Sequence, residues 1–226
     1  MSICSKIIES INASLPEILE KRNTRIMKED NSYVTEGDLL CEKIVRNFIA
    51  ENLPDYFLVS EESTELNVIN SKKEKVIILD PIDGTENFTS GLKEWGVALC
   101  VYEKGKHVES MLALPELNCY LKTGDSITKF ESRICGISSS LTKEDILKLE
   151  TGFEYRIIGC AVYNMYNVIT GSFFSFENPK GAKIWDIIPG LNLALENGLS
   201  VIVNNKKYYG ELLDPDKKYR FRITNK

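Results

Sequence analysis

One short apolar run constrains this chain more than any other feature. Val76-Ile77-Ile78-Leu79 leads straight into Asp80-Pro81-Ile82-Asp83-Gly84-Thr85-Glu86-Asn87-Phe88. A short continuous apolar run reads as a strand covered on both faces, which needs packed structure on either side of it. Asp80 then falls at the strand's C-terminal end, where open sheets place their ligands. Pro81 fixes the backbone, and Asp83 follows closely. Gly84 lets main chain approach a ligand. Thr85 brings a hydroxyl and a backbone N–H to what reads as a helix start, a natural phosphate site. Two carboxylates converging beside free N–H groups suit a hard divalent cation that bridges to a phosphate. The plain structural alternative is a tight turn in which Asp and Gly satisfy the backbone. The whole string lying directly behind a buried strand favours the ligand reading.

The surrounding chain alternates helix and strand. Ile3, Ile7, Ile8, Ile11, Leu15, Ile18 and Leu19 recur at helical spacing over 2–21, with Pro16 dividing or kinking that helix. Residues 23–35 read as polar and irregular. A second helix is expected over 36–51, capped by Thr35. Strands are expected at 56–59, 76–79, 95–102, 107–114 and 118–121, the third and fourth forming a hairpin that turns at Glu103-Lys104-Gly105-Lys106. Further on, strands at 133–137, 155–158, 172–176 and 199–203 alternate with helices at 142–149, 160–170 and 184–196, the last ending at Asn197-Gly198. The pattern is that of an α/β protein, α+β in its N-terminal half, divided near 123–132 into halves 1–130 and 131–226.

Composition narrows the chemistry. With 226 residues, 43% hydrophobic and 27% charged, the chain can bury a substantial core without metal or disulfide staples. Its net charge of −5 and the lack of a long basic run argue against nucleic acid as a partner. The densest basic cluster, Lys72-Lys73-Glu74-Lys75, reads as a solvated turn. No signal peptide opens the chain and no apolar run reaches the ~18 residues of a membrane span, so a cytoplasmic protein with no membrane partner is expected. The six cysteines include no C-x-x-C pair, and His107 is the single histidine. Reduced thiols are expected, and zinc sites and Cys–His nucleophiles are poorly supported. Hydrolysis by this chain must rely on carboxylates, hydroxyls or metal-activated water.

Further acids stand at comparable places. Glu61 and Glu62 follow the strand 56–59, Asp186 follows Trp185 at the start of an apolar helix, and Asp38 follows Val34-Thr35. Taken singly, these read as a solvated pair and two first-turn acids favoured by the helix dipole. Several such acids beside almost no histidine form the pattern to be explained.

These residues resemble the inositol monophosphatase family of metal-dependent, often lithium-sensitive phosphatases. Asp80 to Phe88 is similar to the family signature, Ser60-Glu61-Glu62 to its G-E-E element, and Val34-Thr35-Glu36-Gly37-Asp38 to its V-T-x-x-D element. Trp185-Asp186 with Gly190 and Glu196-Asn197-Gly198 is similar to its C-terminal W-D-x-x-x-G…E-A-G-G element. The resemblance implies a layered α/β/α/β/α sandwich of the inositol monophosphatase and fructose-1,6-bisphosphatase type. It implies a Mg²⁺-dependent phosphomonoesterase, in which Glu61, Asp80 and the carbonyl of Ile82 hold one ion. Asp80, Asp83 and Asp186 would hold a second, and a third, weaker ion would sit by Glu61. Mn²⁺ is an implied substitute and Li⁺ an implied inhibitor. Thr85, Asp38 and Glu61 form the implied catalytic group, with Thr85 hydrogen-bonded to Asp38 to orient and deprotonate an attacking water. Asp83, Gly84, Thr85, Gly159, Cys160, Ala161 and Asp186 would contact a small phosphorylated metabolite, and a homodimer is the implied assembly.

Departures from the family pattern concern the substrate more than the reaction. Ser60 replaces a Gly, and Pro189 enters the helix after Trp185-Asp186. Arg156 to Ala161 only loosely resembles the family's G-S/T-A segment. Cys160 reads equally as pocket lining or as a small buried residue opening a helix. Counting seven residues back from Asp186, where the best-known members carry an inositol-contacting Glu, reaches Pro179. Glu177 and Lys180 flank it, either as replacement contacts or as ordinary loop charges. A sugar or polyol phosphate is the leading substrate class; 3′(2′),5′-bisphosphate nucleotidase and fructose-1,6-bisphosphatase-like activities are alternatives. A regulatory or interaction protein on a phosphatase fold is the reading from another class.

Overall fold

A computed structural model of the chain describes residues 2–28, 33–62 and 74–225. Lys72 and Lys73 of the basic cluster and the polar stretch 63–73 lie outside the described residues. The N-terminal helical pattern forms two helices, α1 (Ile3–Ala13) and α2 (Leu15–Glu20). Pro16, lacking an N–H, sits in the first turn of α2, the one place where a helix tolerates it. Residues 23–35 are not irregular throughout: β1 (Arg25–Met27) and β2 (Tyr33–Thr35) pair antiparallel. The side chains of β1 are exposed and mixed, so no alternation marks the strand in the sequence. In α3 (Glu36–Asn52), the Thr35 side chain accepts from the N–H groups of Gly37 and Asp38, and Asp38 Oδ2 accepts from Thr35 N–H at 2.9 Å. That reciprocal box fixes both the helix start and the Asp38 carboxylate.

The first sheet runs β3 (Phe57–Ser60), β4 (Lys75–Asp83), β5 (Gly96–Glu103), β6 (Lys106–Leu114) and β7 (Cys119–Lys122), with only β3 and β4 parallel. The apolar run behaves as its composition predicts. Ile77 and Leu79 pack among Ile7, Ile11 and Val45 on the α1–α3 side, whereas Val76 and Ile78 face the opposite core. A short helix, α4 (Thr85–Thr89), follows β4 directly.

The second sheet has the order β12-β11-β13-β10-β8-β9, with β8 (Ile134–Ile137), β9 (Glu154–Arg156), β10 (Ser175–Ala182), β11 (Ser200–Val203), β12 (Lys206–Lys207) and β13 (Tyr219–Thr224). β12 and β13 lie beyond the elements read from the sequence, and β13 is an interior strand, paired to both β10 and β11. Between the sheets lie α6 (Ala161–Ile169) and α7 (Ile184–Glu196); Ile187, Ile188 and Leu191 of α7 share one core with Val76, Ala98 and Cys100 of the first sheet and Val201 and Phe221 of the second. Pro189 is the sixth residue of α7, inside the helix rather than in its first turn. A proline there removes an i→i−4 bond, and burial against both sheets keeps the helix continuous. Outside the second sheet α5 (Lys143–Leu147) has no buried residue, and the Lys180–Asp145 ion pair at 2.7 Å ties it to β10. No helix among the described residues is long and apolar enough to cross a membrane.

Candidate functional site

The parallel register of β3 and β4 builds the acidic site. Ser60 pairs with Leu79, so the next residues, Glu61 and Asp80, stand side by side at the strands' C-terminal ends. Ser60 is fully buried and its hydroxyl donates to Glu42 Oε2 at 2.5 Å, which anchors this strand end to α3. Asp186, in the first turn of α7, is brought in from the other side; its Oδ2 accepts from Lys183 N–H at 2.9 Å. Carboxylate oxygens of Glu61, Asp80 and Asp186 all lie within 4.8 Å of one another.

Asp80 is the unusual member. It is 1% exposed, and neither carboxylate oxygen has a hydrogen-bond partner of normal geometry. Burial pushes its carboxyl well above the usual range, and the charges of Glu61, Asp83, Asp186 and Asp38 push the same way. Asp186 is raised by burial and then by Glu61 and Asp83. A buried, unpartnered carboxylate ringed by like charges is stable only when protonated or facing a cation. The site therefore fits a hard divalent ion. Lys28 is the cation the sequence reading overlooked. Its Nζ lies 3.1 Å from Glu61 and 2.7 Å from Glu62. Burial and the neighbouring Glu61 charge lift the Glu62 carboxyl to about 7.

Beside the acids sits a hydroxyl. Thr85 Oγ1 donates to Ile82 O at 3.2 Å and lies 3.4 Å from Asp38 Oδ1. Asp38 is fully buried; burial lifts its carboxyl to about 6, against the hydrogen bonds it accepts from Thr35. Gly84 opens α4 with φ +82°, in the left-handed region where glycine is strain-free. Its peptide leads into first-turn N–H groups that have no intrahelical acceptor.

Asp83 stands apart from the acidic trio. Its Oδ2 accepts from Val162 N–H at 2.5 Å and from the Cys160 thiol at 2.9 Å, so it caps α6. Burial lifts this carboxyl to about 6, against those two hydrogen bonds. Cys160 is 2% exposed and its sulfur accepts from Tyr163 N–H, so it is a buried helix-opening residue. It also borders a cavity of about 140 Å³ next to Asp83 and Asp186, with Gly159, Ala161, Ser138, Asn164 and Asn178. Among the described residues no Lys, Arg or His lines this cavity.

The flanking charges considered from the sequence point elsewhere. Glu177 faces Arg222 at 3.9 Å, and Lys180 pairs with Asp145. The β10–β13 register shifts between Asn178 and Ala182, and it is Asn178, not Pro179, that lines the cavity. Asn178 Oδ1 accepts from the N–H groups of Lys180 and Gly181, both at 3.0 Å, and among the described residues its NH₂ has no acceptor. Asn164 donates to Cys160 O at 2.6 Å, and its Oδ1 is buried without a partner. Neither amide carries a local sequence signature, because each matters only through long-range packing.

The chain is similar to several known proteins. The chain is 36% identical to Nus factor SuhB of Pasteurella multocida (strain Pm70) over 80 residues, a stretch covering 35% of this chain but only 29% of that protein. It is 27% identical to fructose-1,6-bisphosphatase/inositol-1-monophosphatase of Thermotoga maritima (strain ATCC 43589 / DSM 3109 / JCM 10099 / NBRC 100826 / MSB8), over 73% of this chain and 69% of that one. In fold it is similar to an IMPase/NADP phosphatase crystallised with Mg²⁺ and phosphate. The TM-score is 0.83 at 22% identity, covering 99% of this chain and 89% of the other. The profile of the inositol monophosphatase family matches residues 1–123, more than half of the chain. By that match, and by a mixed α/β fold shared over nearly its whole length, the chain belongs to the inositol monophosphatase family.

Proposed function

We propose that this protein is a Mg²⁺-dependent phosphomonoesterase acting on a small sugar or polyol phosphate. The observation that carries the reading is the Asp80 carboxylate, buried and unpartnered between Glu61 and Asp186. Glu61, Asp80, Asp186 and the carbonyl of Ile82 are the groups assigned to hold the ions, with Asp83 at their edge. Bound there, Mg²⁺ offsets the dianionic charge of the phosphate and makes water a stronger acid. The chain's own residues do the rest. With its hydrogen turned from Ile82 O to Asp38 Oδ1, Thr85 Oγ1 accepts a hydrogen bond from the attacking water, and the raised pKa of Asp38 suits a proton acceptor near neutrality. The N–H groups of Gly84 and Thr85 receive phosphate oxygens.

The cavity beside Asp83 and Asp186 supports the substrate class. A volume of about 140 Å³ suits the carbon skeleton of a small polyol, and its amide and hydroxyl lining suits neutral hydroxyl groups. Beyond the ion site, a second phosphate would find no Lys, Arg or His among the described residues lining this cavity, which weighs against bisphosphate substrates.

The test is phosphate release from inositol 1-phosphate, glycerol phosphates, sugar monophosphates, fructose 1,6-bisphosphate and 3′-phosphoadenosine 5′-phosphate, each with Mg²⁺ and with EDTA. Turnover of monophosphates that EDTA abolishes is expected. Preference for either bisphosphate would overturn the substrate class. No turnover, with Mg²⁺ still bound, would replace the enzymatic reading by a binding role.

A further inference from the structure

Asn87 has no part in the chemistry above, yet its carboxamide joins the two sheets. It is 7% exposed, and its Nδ2 donates to Glu94 O at 2.7 Å and to Ile158 O at 2.8 Å. Glu94 lies in the loop entering β5; Ile158 lies between β9 and α6, on the second sheet's side. Both hydrogens of the amide are thereby used. Gly159, next along, has φ +81°, and a Cβ there would come 3.4 Å from Asn87 Oδ1. One step further, Cys160 and Val162 donate to Asp83, and a Cβ on Gly84 would come 2.9 Å from Cys160 Cβ. Residues 158–162 are thus seated directly on residues 83–87.

We propose that Asn87 is a positioning residue for the substrate's organic part. Its two donated bonds hold the Gly159–Ala161 wall of the cavity in register with the phosphate turn at Gly84-Thr85. This rests on the phosphatase reading and extends it to a residue that touches neither ion nor phosphate. A wall held in place before binding spares the ester the cost of ordering it. Inorganic phosphate does not use that wall. Removing the tie therefore weakens binding of the ester and leaves binding of the free anion intact.

Asn87→Ala and Asn87→Asp test this on the full chain, using the ester of the panel above that the wild type hydrolyses fastest. KM is expected to rise about tenfold in the alanine variant. It should rise further in the aspartate variant, where a carboxylate faces two carbonyls. The expected kcat is within about twofold of wild type. The inhibition constant of inorganic phosphate and the calorimetric Mg²⁺ constant are expected to stay put. An unchanged KM overturns the proposal, as does a KM that moves together with the phosphate and Mg²⁺ constants. If these variants do not fold, Asn87→Ser, which keeps a single donor for Glu94 O or Ile158 O, is read in the same way. The same split there supports the assignment and its absence overturns it. A wild type that hydrolyses no ester of the panel sinks the phosphatase reading and this proposal with it.

Discussion

Replacing Asp80 by Asn reverses the order of stability of two proteins according to whether Mg²⁺ is present. The substitution keeps the shape of a side chain that is 1% exposed and removes a carboxylate that has no hydrogen-bond partner. Leaving a buried polar group unsatisfied costs ~1–3 kcal/mol. The new amide donates to the facing carboxylates of Glu61 and Asp186, so ~1–2 kcal/mol should be recovered in EDTA. For a chain of this size ~1 kcal/mol moves Tm by ~2–4 °C, giving a rise of ~2–8 °C. With Mg²⁺ at ~100 times its Kd, the wild type gains ~2.7 kcal/mol, or ~5–11 °C, and overtakes the variant. The variant lacks the central ligand and should gain little. Calorimetric melting of both proteins at pH 8, in EDTA and in Mg²⁺, alongside phosphate release, checks each part. A variant that melts below wild type in EDTA, or keeps the full Mg²⁺ shift, or retains near-wild-type turnover, refutes the reasoning.

The carboxyls of Asp38 and Asp83, each lifted to about 6 chiefly by burial, contribute stability that is fully present below about pH 4 and lost as pH rises through 6. In EDTA, Tm should therefore fall between pH 4.5 and 7, and Mg²⁺, which favours the ionised forms, should flatten the fall; a flat profile in EDTA counts against the buried-acid reading. Lys28→Met takes an ammonium away from Glu61 and Glu62, half-buried pairs worth ~1 kcal/mol. Mg²⁺ should bind about fivefold more tightly by calorimetry, and weaker binding would show that Lys28 assists the ion instead. Gly96→Ala would put a methyl 2.5 Å from Val162 Cγ1 and 2.7 Å from Ala113 O. Overpacking of that kind costs ~1–3 kcal/mol, so a Tm drop of ~2–12 °C is expected, and an unchanged Tm would mean that α6 slides freely on β5.

Local chemistry was the legible part of this chain. Four apolar residues in a row marked β4, Thr35 marked the start of α3, and Lys104-Gly105 marked the β5–β6 turn, where both residues take positive φ. Asp80, Glu61 and Asp186 were readable because an acid at a strand end or helix start is a local signal. Their convergence depends on the Ser60–Leu79 register and on α7, which only the fold supplies. β13 alternates buried Tyr219, Phe221 and Ile223 with Arg220 and Arg222, so its period was visible in principle. Its place between β10 and β11 was not, because strand order is set by pairing across the chain. Asn178 was not legible, because its place at the cavity depends on how β10 packs, and counting back from Asp186 reaches Pro179 instead.

The position of α7 determines how the molecule can be taken apart. The helix that presents Asp186 packs on β4, β5 and β6 on one side and on β11 and β13 on the other. A cut in the connection between β7 and β8 would leave Glu61 and Asp80 on one fragment and Asp186 on the other, each fragment with a bare apolar face where the two once met. Apart, the fragments have neither a complete acidic trio nor a closed core. Mixed, they should regain both at once, and under the proposed function the divalent ion draws ligands from each. Fragment complementation of this chain should then be gated by Mg²⁺, turning a buried structural layer into a two-component switch.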